Sequence, residues 1–280
     1  MATDLDIFIG ILLAIIAYAA LYLGKGLQKY AIVGFTKEGA TRGEKGKHSG
    51  IWIAGLVLTG AFLFIHLFAL KFAAISIIAP FEGLGLVILC LFSHFILKES
   101  IDRIKSVGIS LILIGLILTA IFIPSPEEAP PFFDWVLFLI LFCVIMSIFT
   151  IAGLFSKFNK YKAAGVIFGS FAGAFMCFQT LAKRVTWLPG YSYFLFITFA
   201  FAAATLLMTN FGFLKAKAVV IVPCFTAMSI MLPTILAIFL FNEPVVLLQW
   251  IGIIIIVVGV IFLTAFSKEE ESASKQENLS

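Results

Sequence analysis

Charge is what this chain has least of. Only 12% of its 280 residues are Asp, Glu, Lys or Arg, and 62% are apolar. A soluble domain holds about a quarter charged and half apolar residues. The shortage excludes a water-facing globule, whose exterior would be one aggregation surface. Cysteine is also scarce. Cys90, Cys143, Cys177 and Cys224 fall in four different apolar runs, which excludes a disulfide frame or a thiolate metal cluster and leaves small buried side chains. No Gly-rich loop ends in Lys-Ser/Thr, so nothing points to ATP drive, and no Cys/His set has zinc spacing. No loop carries the His or Asp cluster of a membrane enzyme; an enzyme is not expected, nor is a cofactor. The net charge of +4 is scattered over short gaps, which gives nucleic acid no continuous footprint.

What is present is long apolar sequence, including 32 Phe. About 20 apolar residues cross a bilayer as a helix. By that rule there are nine spans, at 7–24, 51–70, 72–97, 104–123, 134–156, 163–182, 191–214, 218–241 and 247–266. Asp4 and Asp6 precede the first run, with no Lys or Arg before it and no small-residue cleavage site after it, so it reads as a retained membrane helix rather than a signal peptide. Lys and Arg divide 16 to 3 between alternate gaps. That bias predicts a multi-pass cell-membrane protein with its N-terminus outside and its C-terminus cytoplasmic. The basic gap 25–50 is expected to rest on anionic headgroups. The tail from Ser267 is polar, low in complexity and expected to be disordered.

One stretch occurs twice. Pro80 is followed by Glu99, Gly108 and Gly115; Pro223 is followed by Glu243, Gly252 and Gly259. The glutamate comes 19 or 20 residues after the proline, and the glycines nine and then seven residues further on. The first glutamate ends the third span and the second ends the eighth, so the copies run in opposite senses. The expected fold is an all-α integral membrane protein of about nine helices in an inverted repeat, 4 + 5. Residues 7–123 form the first repeat and 134–266 the second. The basic-free, Pro-rich segment 124–133 is the external linker. Many secondary transporters are built this way, with the substrate path between the halves.

Several segments carry a family resemblance: Gly24-Lys25-Gly26-Leu27, the Phe/Ala-rich run Phe68–Ala74 leading to Ala79-Pro80, Phe95-Ile96-Leu97-Lys98-Glu99, and Pro124-Ser125-Pro126-Glu127-Glu128. Asn210, Val222-Pro223 and Phe241-Asn242-Glu243 match in the second half. In order and spacing the chain resembles the drug/metabolite transporter superfamily, and most closely its NIPA-type magnesium transporter branch. The resemblance covers most of 7–266 and implies a transporter of nine helices. His66 stands where that branch's pattern has Asn.

Glu82 is the first candidate site residue, read from its position rather than from the resemblance. It lies deep in an apolar span, where a carboxylate is expensive and faces a partner or a watery cavity. It follows Pro80, which frees a helical carbonyl. One carboxylate plus carbonyls suits a hard cation that keeps its waters, so Glu82 is the metal candidate, with Mg²⁺ the favoured ion. The bland reading is a protonated structural residue. His66 and Asn210 lie 14 and 13 residues before their prolines; each is a ligand candidate or an interfacial polar residue, and so is Gln179. His94 reads as interfacial. Glu99, Glu243 and Pro223 read as gate and helix-end elements, since a carboxylate at a helix C-terminus needs a fixed partner against the dipole. Pro223 and Pro233 are expected kinks of the eighth span. Gly165, Gly169 and Gly173 form a small-residue face for packing within the fold or between two copies of a homodimer. The rival readings are a proton-coupled transporter of a small organic metabolite or drug on the same scaffold, and a non-transport membrane scaffold.

Overall fold

In the computed structural model, residues 4–36, 42–97, 103–122, 133–158, 160–161, 163–215 and 218–265 are described. Those residues are helical, joined by short turns, with no strand among them. The helices are α1 (Asp4–Thr36), α2 (Arg42–Phe72), α3 (Ile75–Ile78), a 3₁₀ turn (Ala79–Phe81), α4 (Glu82–Leu97), α5 (Arg103–Ile121), α6 (Trp135–Phe158), α7 (Ala164–Val185), α8 (Phe194–Lys215), α9 (Ala218–Phe241) and α10 (Leu247–Ala265). Among the described residues eight spans are long and apolar enough to cross a membrane, Ile75–Ile96 counting as one; Leu247–Phe262 of α10 is a shorter apolar helix. Glu99, the linker 124–133 save its last residue, and the tail 267–280 lie outside the described residues.

The gap 25–50 is largely helical, because α1 runs on to Thr36 and α2 starts at Arg42. Two span expectations need correction. The second span does not end before Lys71, which sits in the last turn of α2. The third span is not one helix. It breaks after Phe72 into α3 and a 3₁₀ turn with Pro80 in its first positions, as a residue without an N–H requires. No such interruption occurs at Pro223 or Pro233, since α9 runs through both.

The glycines of the repeat explain the central packing. A Cβ on Gly115 would lie 2.6 Å from the Gly252 carbonyl oxygen, and one on Gly259 would lie 2.8 Å from that of Gly108. Residue 108 meets 259 and 115 meets 252, so α5 and α10 cross antiparallel with their backbones in contact. That antiparallel crossing is what the expected inversion requires of these two helices. The small face of α7 is used similarly. Cβ atoms on Gly169 and Gly173 would lie 2.7 and 2.6 Å from the Ile221 and Phe225 carbonyl oxygens of α9. α7 is buried along most of its length, whereas α6 presents nearly all of its apolar surface outward.

Candidate functional site

α1 has two faces. Leu5, Phe8, Leu12 and Ile16 are exposed and form a lipid-facing stripe at helical spacing. The opposite face carries Ala14, Ala17, Tyr18, Leu21 and Tyr22, all buried. Along this inner face, at i, i+4 and i+7, stand Tyr18, Tyr22 and Lys25, and each organises a polar neighbour.

Tyr18 meets His66 of α2, its hydroxyl 3.2 Å from Nε2. The other ring nitrogen, Nδ1, is 3.1 Å from Lys183 Nζ of α7. An ammonium only donates, so with Lys183 charged Nδ1 accepts and Nε2 carries the proton toward Tyr18. Lys183 also lies 4.4 Å from the Phe62 ring centroid, and His66 stacks on that ring. Both residues are 0% exposed.

One turn along α1, the Tyr22 hydroxyl donates to Glu82 Oε1 at 3.4 Å. Glu82 opens α4 and is 1% exposed. The Ser229 hydroxyl of α9 is a further hydrogen-bonding neighbour, and Lys25 and Lys183 are the cations whose charges reach it. Lys25 Nζ stands 4.7 Å from the Tyr22 centroid and 5.8 Å from that of Phe225. Lys25 is on the buried face of α1 yet accessible.

The opposite end is tied together by hydrogen bonds. α9 ends at Phe241, and Asn242 turns the chain at φ +50°, a left-handed cap that Asn tolerates. This aims Glu243 into the first repeat. Its Oε1 and Oε2 accept the Ile75 and Ser76 N–H groups at 3.0 Å each, capping α3, whose own N-cap residue Ala74 has no side chain to do so. Gln249 Nε2 donates to the Ser76 carbonyl at 3.1 Å. Arg184 donates to the Leu70 and Ala73 carbonyls and Trp187 Nε1 to Leu67 at 2.7 Å. The broken chain between α2 and α4 is thus tied on both sides by the second repeat.

The sequence candidates now have places. Glu82 and Pro80 are buried at the centre, Pro80 in the turn that sets Glu82 at the head of α4. His66 is buried against α1 and α7. Gln179 is 2% exposed, four residues before Lys183 on α7, and its Nε2 has no partner. Asn210 is exposed on α8 and His94 on α4, and neither joins the centre. Tyr18, Tyr22, Lys25 and Lys183 were not candidates. The spacing of the first three on one helix was a signal; Lys183, next to Arg184 at a span end, looked like an ordinary interfacial cation. Among the described residues no group of three or more His, Cys, Asp or Glu could hold a metal.

The relatives of this helical membrane protein define its class, a membrane transporter of the drug/metabolite transporter superfamily. More narrowly, the family description "Magnesium transporter NIPA" matches residues 5–168, and the chain belongs to that family. An ArnE subunit of a probable 4-amino-4-deoxy-L-arabinose-phosphoundecaprenol flippase from Pseudomonas fluorescens is 28% identical over 108 residues, 39% of this chain and 94% of the subunit. Human magnesium transporter NIPA3 is 26% identical over 129 residues, 44% of this chain and 31% of its own length. A probable magnesium transporter, NIPA9 of Arabidopsis thaliana, is 40% identical over 68 residues, 24% of this chain and 19% of its own. The chain therefore spans under a third of the NIPA relatives it matches. No solved structure matches.

Proposed function

We propose that this protein is an alternating-access secondary transporter in which the path follows the inner face of α1 past Glu82, and that its cargo is a small organic solute. The observation that carries this reading is Glu82 itself: a carboxylate 1% exposed, held by side-chain hydroxyls alone, Tyr22 at 3.4 Å and Ser229, with no backbone N–H or ion-pair partner among the described residues. A structural carboxylate in an apolar surround would be fully hydrogen-bonded. Glu82 would take a proton or the cationic group of the cargo and release it as the site changes sides. With the N-terminus outside, as the Lys and Arg distribution supports, the Glu243–Arg184 seam faces out and Lys25 lies toward the cytoplasm.

The second reading is Mg²⁺ itself, supported by family membership and by the names of the NIPA relatives. Glu82 with carbonyls of the 3₁₀ turn is a workable partial shell for an ion that keeps its waters. Against it stands the local charge. One carboxylate faces two ammonium groups, Lys25 and Lys183, and each repels a dication twice as strongly as a monocation.

The test is uptake into proteoliposomes at imposed potential and at imposed pH gradient, for wild type and Glu82→Gln. Organic solute uptake driven by a proton gradient and lost in the variant supports the first reading. Mg²⁺ uptake that follows membrane potential, and is lost in the variant, replaces it with the second. No Glu82-dependent flux of either kind removes transport through this centre.

A further inference from the structure

Lys183 is the least explained group in the molecule. It is fully buried in a membrane helix, and its contacts are a neutral donor-acceptor ring, His66, and the face of Phe62. Among the described residues no carboxylate lies within ion-pair distance of it, and the Glu82 charge reaches it only from further off. A lysine so placed is normally paired. One turn before it, Gln179 presents a buried amide nitrogen without a partner, and positions four apart share a helix face. Tyr18 adds a hydroxyl on the far side of His66. This end of the polar line therefore offers donors and a positive charge, whereas the Glu82 end offers a carboxylate.

We propose that Lys183 and Gln179 form an oxyanion subsite that binds a carboxylate or phosphate group of the cargo. This rests on the transporter reading and deepens it: the cargo is an organic oxyanion, its negative group on Lys183 and Gln179 and its other polar end toward Glu82. The subsite lies directly beneath the hydrogen-bonded seam. Arg184 and Trp187, one and four residues further along, are the side chains that tie down α2, so a solute entering when that seam opens meets Lys183 first.

The experiment is thermal melting of the purified full-length chain in nanodiscs, titrated with acetate or inorganic phosphate against chloride at matched ionic strength. Wild type should show a saturable rise with an oxyanion and none with chloride. The acetate and phosphate arms identify which group the cargo carries. Lys183→Met should abolish the rise and leave the anion-free protein at least as stable, since an apolar residue of similar length replaces a buried unpaired charge. Lys183→Arg should retain it. Gln179→Leu should weaken the apparent affinity by about tenfold, the loss of one hydrogen bond to a charged group. No oxyanion-specific rise in wild type, or an unchanged rise in Lys183→Met, overturns the subsite. So does a large loss of stability in Lys183→Met together with an unchanged affinity in Gln179→Leu, because Lys183 would then be structural. An intact oxyanion response with no Glu82-dependent flux would instead remove the transporter reading alone.

Discussion

Among the described residues two carboxylates are buried, and they differ in one respect. Glu243 is 6% exposed and receives two backbone N–H bonds at 3.0 Å, one on each oxygen. Glu82 is 1% exposed and receives one tyrosine hydroxyl at 3.4 Å, with Ser229 nearby. Both sit where a negative charge is costly. The first has its cost offset by the head of α3, where the two unsatisfied N–H groups and the helix dipole both favour an anion. The second is held only by side-chain hydroxyls, Tyr22 and Ser229, which could rearrange. Satisfaction, rather than burial, separates an anchor from a site. The same contrast holds among the cations: Arg184 spends its guanidinium on the Leu70 and Ala73 carbonyls, while Lys183 rests on an imidazole and a ring.

The largest expected effect breaks this contrast on the transport side. Glu82→Gln should bring flux to the background of empty liposomes while leaving the melting temperature unchanged or higher, because a neutral amide no longer requires a buried negative charge to be stabilised. A variant that unfolded instead would make Glu82 an anchor like Glu243. Next comes Glu243→Ala. It removes two bonds to a charged acceptor, each about 1.5–3 kcal/mol, and leaves two buried N–H groups unpaired. A stability loss of about 3 kcal/mol or more is expected in melting experiments, together with faster proteolysis across residues 73–82. If stability held and only flux changed, the seam would be a moving part rather than a brace.

Much of this was legible beforehand, and the parts that were not have physical reasons. The apolar runs, the inversion and the paired glycines could be read because bilayer thickness and close backbone approach each constrain sequence directly. Gly108, Gly115, Gly252 and Gly259 recur at fixed intervals because α5 and α10 meet there backbone to backbone. The break at residues 73–74 was hidden, because apolar composition continues through it and the group that stabilises it, Glu243, lies 168 residues away from Ile75. Tyr18 and Tyr22 were hidden among aromatics that composition cannot sort into lipid-facing and inward-facing. Asn210 misled in the opposite direction, since correspondence between repeats fixes a residue's height along its helix and not the face it presents.

Smaller effects sharpen the same comparison at the seam. Arg184→Met should cost about 1.5–3 kcal/mol, the worth of one charged hydrogen bond, and Trp187→Phe about 1 kcal/mol for the bond to Leu67. Both changes loosen the outer end without touching the central carboxylate. Their signature is therefore a lower melting temperature with flux retained, or raised where opening of the seam limits the cycle. Lost flux at unchanged stability would instead put Arg184 on the path.

The smallest expected effect is at Asn210, exposed on α8 and apart from the polar line. Asn210→Leu should leave both stability and flux nearly unchanged, within about 0.5 kcal/mol as for substitutions away from packed or bonded features. This null result is informative because His66, its counterpart by position before the proline, is 0% exposed and bonded on both ring nitrogens. His66→Leu should weaken the link between Tyr18 and Lys183 and reduce flux. Equal responses at the two positions would mean that the repeats contribute symmetrically to the path. Unequal responses would mean that the polar line belongs to one side of the inversion, with α1 as its backbone and the second repeat lending Lys183 and Ser229 to it.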